Sequence, residues 1–385
     1  MKTKTSGAVL AVTYALYALL VIMLTPSLVS GMVSELAFSL QQAAEVISGS
    51  MLGATVGTLI VLTNATKIRF RRYFASGIVA IAVADLFAAL LVDPLHVTLT
   101  FILRGFGGGL VVATAFIFFA RDPRKEGIFA VLLGAQLILA ALGIYYMPTL
   151  MQTIGWGGLF VCACIIGVVL FVSSMQITNN TVSAAKTENP TQANLSAFSW
   201  LTISVTLCLT SYLLHFVANT AIWTFFEQIG NALGFQSQAI ADALALSMIV
   251  GGIMAIVPIV LGTRYGRSRP LLSSIGLILI SALLLIGQVS ELWYFMGAAI
   301  YNTALSIGLP YYQGLLAELD PSGRALTVSS LIGSAGWIIG PLLGALLEAE
   351  FGFDGMLMGM AGIFAVALIL VAPMVIQADR RTISL

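Results

Sequence analysis

The stretch Gln176–Ser199, QITNNTVSAAKTENPTQANLSAFS, determines how the rest of the chain is organised. Its Asn, Thr, Ser and Gln residues and its single Pro are typical of a solvated linker. Nowhere else do more than twenty residues pass without an apolar run that could span a membrane. About six such runs lie on each side of it. The sequence therefore predicts two halves, residues 1–175 and 200–385, joined by a linker over residues 176–199.

The composition excludes a water-soluble fold. Hydrophobic residues make up 59% of the chain and charged residues 9%, with a mean hydropathy of +1.03, whereas soluble domains carry roughly 25% charged residues. The long apolar runs favour helices in a lipid bilayer over a barrel of short alternating strands. The net charge of +1 gives nucleic acid no electrostatic reason to bind. The three cysteines lie in apolar runs and are interpreted as packing residues, so neither a metal nor another cofactor is expected.

The apolar runs predict an all-α membrane protein with twelve transmembrane helices in two pseudo-symmetric six-helix halves. The first run is interpreted as an uncleaved helix, because it is long enough to span and no cleavage site stands out. The expected segments, numbered one to twelve, cover residues near 8–30, 44–63, 74–92, 97–120, 127–147, 157–175, 200–229, 239–262, 270–288, 292–317, 325–347 and 355–376.

The positive charges predict how these segments are oriented. Of the 17 Lys and Arg residues, 16 either precede segment one or follow an even-numbered segment, including segment twelve. With twelve crossings, all of those positions are on one side of the membrane. The opposite loops carry only acidic charges, such as Glu35, Asp93 and Glu291. The positive-inside rule then predicts a multi-pass protein of the cell inner membrane, with both termini and the linker in the cytoplasm.

The seventeenth basic residue, Arg104, is expected inside the membrane. It lies eight residues after His96 on segment four, about 12 Å from the end of the segment at 1.5 Å per residue. Asp85 lies eight residues before Asp93 on segment three, at a similar depth. A tight turn makes these two segments antiparallel neighbours, so Asp85 and Arg104 can meet or can both reach a polar cavity. A permanent structural ion pair and a substrate or proton site are both compatible with this placement.

Segment seven carries a second polar feature. Five of its residues are spaced by four and share a slowly drifting face: Ser211, His215, Asn219, Trp223 and Glu227. His215 is either a proton carrier or a neutral imidazole bonded to a neighbouring helix. Glu227 and Gln228 are expected near the outer end of the segment, where solvation is the default environment, although Glu227 is retained as a titratable candidate.

Other segments add polar or special residues. Segment one carries Tyr14 and Tyr17, segment five carries Gln136, and segment ten carries Tyr301, Asn302 and Ser306 together with Pro310, which is expected to kink the helix. The glycines that follow Arg104, at positions 105 and 107–109, are interpreted as helix-packing residues. Together the polar residues predict a partly aromatic cleft.

The basic loops give the chain a resemblance to the major facilitator superfamily over essentially its whole length. That family carries the pattern G-x-x-x-D-R-x-G-R-R after segments two and eight. The second copy here is Gly262–Pro270, GTRYGRSRP, which supplies Arg264, Gly266 and Arg267 but lacks the acidic residue. The first copy, Lys67–Arg72, KIRFRR, keeps only the charges. The resemblance implies that these loops act as a conformational latch.

Two further motifs support the same resemblance. Arg104 and Gly108 match the R-x-x-x-G pattern of segment four, where the family associates the Arg with proton coupling. The G-x-x-x-G-P-x-x-G pattern is absent from segment five, but Gly336–Gly344, GWIIGPLLG, carries it on segment eleven, with Gly340 and Pro341 at its centre.

The resemblance implies a secondary transporter that works by alternating access around a cleft lined by segments one, four, seven and ten. We therefore expect a small-molecule substrate, protons as the coupled ion, and a monomeric protein in the lipid bilayer. The candidate cavity residues are Tyr14, Tyr17, Arg104, Gln136, His215, Asn219, Trp223, Tyr301, Asn302 and Ser306. The candidate proton-coupling residues are Asp85, Arg104, His215 and Glu227.

Other function classes are less compatible with the sequence. No G-x-x-x-x-G-K-[ST] loop supports an ATP-driven pump. The chain has two histidines, His96 and His215, and no clustered nucleophile set, which argues against an intramembrane enzyme. A membrane ligand sensor and a uniporter without proton coupling are the alternatives that the residues leave open.

Overall fold

The computed structural model describes residues 2–64, 68–120, 125–176, 201–320 and 324–383. Every regular element in these ranges is an α-helix, in agreement with the predicted all-α class. The chain divides into two compact units, residues 1–191 and 192–385. The first holds α1 (Lys2–Met23), α2 (Thr25–Leu36), α3 (Leu40–Thr63), α4 (Phe70–Leu90), α5 (Pro94–Ala120) and α6 (Lys125–Ser174). The second holds α7 (Ile203–Ala232), α8 (Ser237–Met254), α9 (Ile256–Leu261), α10 (Ser268–Leu284), α11 (Glu291–Leu319) and α12 (Arg324–Ile383).

The predicted linker lies outside the described residues from position 177 onward, so its role as a tether stays a prediction. The same holds for Lys67, the first residue of the KIRFRR loop.

Predicted segment one is broken and longer than expected. Its helices α1 and α2 meet at Leu24 with a bend of 59°. Pro26 stands in the first turn of α2, where its missing N–H cannot extend the α1 hydrogen-bond ladder. The hydroxyl of Thr25 donates to the carbonyl oxygens of Val21 and Ile22 instead, at 3.2 and 2.8 Å. The expected end at Ser30 is therefore wrong, because α2 continues to Leu36.

The number of crossings is not confirmed by the helix lengths. Seven helices of the described ranges are long and apolar enough to span a membrane when α8 and α9 are counted as one, or eight if α1 and α2 also form one span. Two of the seven, α6 and α12, each contain one non-helical glycine. These are Gly155 and Gly352, with φ values of 63° and 66°, a region that a residue without Cβ enters at little cost. Both lie where the sequence predicts a turn between two segments.

The turn between α4 and α5 is the short connection that the sequence predicts. The Asp93 carboxylate accepts hydrogen bonds from the ring and the amide of His96, at 2.6 and 3.2 Å, and Pro94 begins α5. The bond from the His96 side chain is the main reason why the pKa of the exposed Asp93 carboxyl lies below its usual value. This connection holds α4 and α5 side by side.

Glycines bring α3 and α5 into direct backbone contact. A Cβ atom at Gly105 would overlap the carbonyl oxygen of Ser50, and one at Gly53 would overlap that of Ile102. Gly109 meets Ala54 in the same way. The interpretation of this glycine cluster as a packing surface is confirmed for these positions, whereas Gly108 has no neighbouring atom closer than 3.9 Å.

The second unit is organised around α7 and α12. Thr220 of α7 donates to the carbonyl oxygen of Gly336 at 2.8 Å. A Cβ atom at Gly340 would overlap the Thr220 hydroxyl, and Pro341 is buried next to it. The G-x-x-x-G-P pattern therefore serves here to bring two helices close together. Pro310 lies within α11, whose helical assignment continues from Glu291 to Leu319.

Candidate functional site

The first unit contains a buried ion pair between two neighbouring helices. Nε of Arg104 on α5 lies 2.6 Å from Oδ1 of Asp85 on α4. Asp85 is 0% exposed and Arg104 is 5% exposed. Burying two charges is costly unless each is neutralised and hydrogen-bonded, so this pair is a feature that the fold must support.

A third helix completes the Asp85 site. The Tyr17 hydroxyl of α1 donates to Oδ2 of Asp85 at 2.8 Å and lies 3.0 Å from the carbonyl oxygen of Ala163 on α6. Each carboxylate oxygen therefore has its own donor, Arg104 for one and Tyr17 for the other. The sequence identified Tyr17 as a cavity residue, but nothing in it indicated this bond across 68 positions of the chain.

The remaining candidates of the first unit lie outside this cluster. Tyr14 is fully buried, its hydroxyl is 2.9 Å from Ser173 Oγ, and its ring packs against Phe74. Gln136 on α6 is half-buried and has no hydrogen-bond partner within the described residues. Tyr14 is thus a packing residue of this unit, and Gln136 keeps its polar group available.

In the second unit, the polar row of α7 is buried. His215 is 4% exposed and lies among the rings of Phe216, Tyr312 and Phe364, with centroid distances of 6.1, 5.5 and 5.3 Å. Its Nδ1 atom has no hydrogen-bond partner among the described residues. One turn further along α7, Oδ1 of Asn219 is also buried without a described partner. Buried polar atoms are normally hydrogen-bonded, so His215 Nδ1 and Asn219 Oδ1 each keep an unused capacity for a hydrogen bond.

An aromatic pair continues the α7 row. Trp223 stacks on Tyr301 of α11 with a centroid distance of 6.2 Å and an angle of 9° between the ring planes. The Tyr301 hydroxyl donates to the backbone carbonyl of Asn219 at 2.6 Å. Ser211, at the other end of the row, bonds to the Tyr312 hydroxyl and to the Ala367 carbonyl, both at 2.6 Å. The row is therefore fixed by α11 and α12.

The prediction for Glu227 and Gln228 is wrong. Both were expected in a solvated environment, but they are only 6% and 9% exposed. The reason is that α7 continues to Ala232 and is covered there by a neighbouring helix: Tyr294 of α11 donates to the Phe226 carbonyl at 2.9 Å. Glu227 is thus a buried carboxyl group within the second unit.

The other two candidates on α11, Asn302 and Ser306, do not contact the polar row of α7 through hydrogen bonds in the described part of the chain. Nδ2 of Asn302 donates to Ser247 Oγ on α8 at 2.9 Å, which makes Asn302 a link between these helices. Ser306 is half-buried and has no hydrogen-bond partner within the described residues. The structure therefore does not join Asn302 to the α7 row.

The second basic motif acquires its acidic partners from distant helices. Gly266 has a φ of 75°, and the amides of Arg267 and Ser268 donate to the two carboxylate oxygens of Asp379 on α12, both at 2.8 Å. The Arg267 guanidinium bonds to Glu318 of α11. Asp379 and Glu318 were not identified from the sequence. The sequence did contain a signal for them: Glu318 follows predicted segment ten and Asp379 follows predicted segment twelve. Both positions are therefore predicted on the same side of the membrane as the GTRYGRSRP loop, which follows segment eight.

No three His, Cys, Asp or Glu side chains of the described ranges are close enough to hold a metal ion. The Asp85–Arg104–Tyr17 cluster and the polar row of α7 offer hydrogen-bonding and ionisable side chains. Within each unit, they can bind a polar solute or exchange a proton.

Comparisons with known proteins agree with this architecture. Residues 208–384 match the model of the Major Facilitator Superfamily. The nucleoside transporter NupG is 16% identical with a TM-score of 0.77, over 97% of this chain and 99% of that one. A variant of NupG is 14% identical with a TM-score of 0.78 over the same shares. A D-xylose-proton symporter is 14% identical with a TM-score of 0.70, over 95% and 96%. No curated protein matches the chain by sequence.

Proposed function

We propose that the chain is a member of the major facilitator superfamily and a proton-coupled secondary transporter of a small, uncharged polar molecule, on the basis of the family-model match over residues 208–384 and the shared fold. In this proposal it is a multi-pass membrane protein and a transporter rather than an enzyme, which the family match, the fold and the long apolar helices support. The observation that carries the proposal is the Asp85–Arg104–Tyr17 cluster, a carboxylate without exposed surface that is held by three helices. An ionisable group inside a membrane protein is costly to keep and is a functional candidate for that reason.

Asp85 is our first candidate for the proton site. Coupling needs a group whose affinity for a proton differs between two conformations of the transporter. Separation of Asp85 from Arg104 or Tyr17 in one conformation would produce such a difference, because a carboxylate that loses its donors binds a proton more readily. His215 is the second candidate, since its Nδ1 has no described partner.

The proposed substrate is uncharged because Asp85 already neutralises Arg104. The groups that have no described partner are amide and imidazole atoms, at Asn219 and His215, next to the stacked rings of Trp223 and Tyr301. Such groups suit a molecule with a ring and several hydroxyl or amide groups. Nucleosides and pentoses form the first test panel, since a nucleoside transporter and a D-xylose-proton symporter share the fold.

We also propose that the chain crosses the inner membrane twelve times and has both termini in the cytoplasm. In this proposal the protein is a monomer, and its two halves transport the substrate by alternating access. The non-helical Gly155 and Gly352 support two crossings for each of α6 and α12. The bent pair α1–α2 and the pair α8–α9 then supply one crossing each.

The test is transport in proteoliposomes that contain the purified protein. An imposed pH gradient should drive the accumulation of at least one labelled nucleoside or pentose, and a protonophore should abolish it. The paired change Asp85→Asn with Arg104→Gln removes the carboxylate without leaving an unpaired charge. We expect this variant to exchange substrate for substrate but to lose gradient-driven accumulation.

His215→Gln tests the second candidate, and His96→Gln is its matched control because His96 is 60% exposed at its side chain. Accumulation that survives both the Asp85/Arg104 change and His215→Gln would refute both proton sites. A substrate flux that is the same with and without the pH gradient would identify a uniporter, and ligand binding without flux would identify a sensor.

A further inference from the structure

The second unit contains a basic pocket at the GTRYGRSRP loop, which includes none of the residues proposed to bind the substrate or the proton. It has a volume of about 440 Å³ and is formed by the α9–α10 connection, the first residues of α10 and the end of α12. Four arginines line it: Arg264, Arg267, Arg269 and Arg380. The only acidic residue in the same lining is Asp379.

Most of the positive charge in this pocket is not neutralised. Glu318 pairs with Arg267, and both carboxylate oxygens of Asp379 accept backbone amides. Within the described ranges, no carboxylate lies within salt-bridge distance of the other three arginines, which are exposed. Guanidinium groups bind phosphate oxygens through paired, charge-assisted hydrogen bonds, so a phosphate group is the ligand that this lining fits.

The wall of the pocket is held in a defined shape. Asp379 fixes the connection through its two 2.8 Å bonds to the amides of Arg267 and Ser268. Gly266 lies so close to this carboxylate that a Cβ atom would overlap it. Arg267 and the neighbouring Arg269 are therefore presented from a backbone that Asp379 holds in place.

The apolar surface around the pocket indicates which kind of phosphate-bearing molecule would reach it. The helix α9, immediately before the connection, has no buried residue, and its Ile259 and Val260 are 81% and 63% exposed. Tyr265 and Ile376 at the pocket itself are also exposed, by 61% and 39%. Apolar surface of this extent in a membrane protein faces acyl chains, and tyrosines are enriched where those chains meet the headgroups.

We propose that this pocket binds the phosphate of an acidic phospholipid whose acyl chains lie along α9. Basic pockets between transmembrane helices are suited to such headgroups, and each nearby Lys or Arg contributes about 1 kcal/mol of attraction to an anionic lipid surface.

The test uses the full chain in a neutral detergent with short-chain lipids. A ligand that binds the native state raises the unfolding temperature, and at a given concentration the rise is larger for a tighter ligand. We expect dioctanoyl-phosphatidylglycerol to raise it at concentrations where dioctanoyl-phosphatidylcholine does not. Arg269→Gln with Arg380→Gln should weaken the binding of phosphatidylglycerol roughly tenfold or more. The matched control is Arg71→Gln with Arg72→Gln, which removes two exposed arginines from the start of α4 and should leave binding unchanged.

Three results would overturn the proposal. The first is equal stabilisation by the two lipids, and the second is an equal loss of binding in the control variant. The third is a stabilisation by inorganic phosphate or glycerol 1-phosphate that matches phosphatidylglycerol and disappears in Arg269→Gln/Arg380→Gln. That result would assign the pocket to a soluble phosphate rather than to a lipid. A variant that fails to fold is recognised by its unfolding temperature without lipid, and Arg269→Gln alone then replaces it, with a smaller loss of affinity expected.

Discussion

At the scale of single residues, the Asp85 carboxylate is a charged group in a fully buried environment. It has no exposed surface, and its two oxygens depend on donors from two different helices, Arg104 on α5 and Tyr17 on α1. A carboxylate in this position is stable only while both donors are present, so its contacts couple the positions of three helices.

We predict that Asp85→Asn destabilises the protein by about 3–5 kcal/mol, because it leaves the Arg104 charge buried without its partner. The double variant Asp85→Asn/Arg104→Gln should recover a large part of this loss. Chemical unfolding in detergent micelles measures the effect. The matched change Asp93→Asn, at a carboxylate 58% exposed at its side chain, should alter stability little. Equal stability of Asp85→Asn and the unmodified protein would contradict a tightly held pair.

At the scale of helices, the two units use the same packing method in different places. In the first unit, Gly53, Gly105 and Gly109 allow α3 and α5 to approach until backbone atoms touch. In the second unit, Gly340 allows the same approach between α12 and α7. Association of helices in lipid depends on such close packing, since there is no hydrophobic driving force between them.

We predict that Gly105→Ala destabilises the protein by about 1–3 kcal/mol, because its Cβ would overlap the Ser50 carbonyl and force α3 and α5 apart. Gly108→Ala is the matched control, three residues along the same helix, where the nearest atom would be 3.9 Å away. Its effect should stay within about 0.5 kcal/mol. The two unfolding curves decide the question, and equal losses would show that the α3–α5 contact is not the cause.

At the scale of the whole molecule, sequence similarity and fold similarity cover different lengths. The family model matches only residues 208–384, whereas the shared fold covers 97% of the chain. The motifs GTRYGRSRP and GWIIGPLLG both lie in the matched region, whereas the first half carries the charges of KIRFRR and the R-x-x-x-G pattern at Arg104 and Gly108.

The charge distribution leads to a prediction about topology. The proposed twelve crossings place 16 of the 17 basic residues on one side, so reporter fusions at Thr187 and Leu385 should both report a cytoplasmic location. A fusion at Glu291, in an opposite loop, should report the periplasm and serves as the control. A periplasmic signal at Thr187 or Leu385 would contradict the proposed twelve crossings.

The sequence by itself determined the features that depend on chain neighbours. Long apolar runs and a low charge content specified membrane helices, and the Asp93–Pro94 turn placed α4 beside α5. That turn, together with equal spacing of eight residues, was sufficient to bring Asp85 and Arg104 to the same depth. Glycine spacing likewise indicated close packing, although not which glycine touches which helix.

Only the tertiary structure decided which distant side chains meet. Tyr17 reaches Asp85 across 68 positions, and Asp379 reaches the start of α10 across more than 110. Burial of Glu227 likewise depends on α11, which follows it by more than 60 residues. A helix that is apolar on all sides gives no periodic signal for its rotation about its own axis. The partners of its few polar residues are therefore fixed by the packing of neighbouring helices and not by the local sequence.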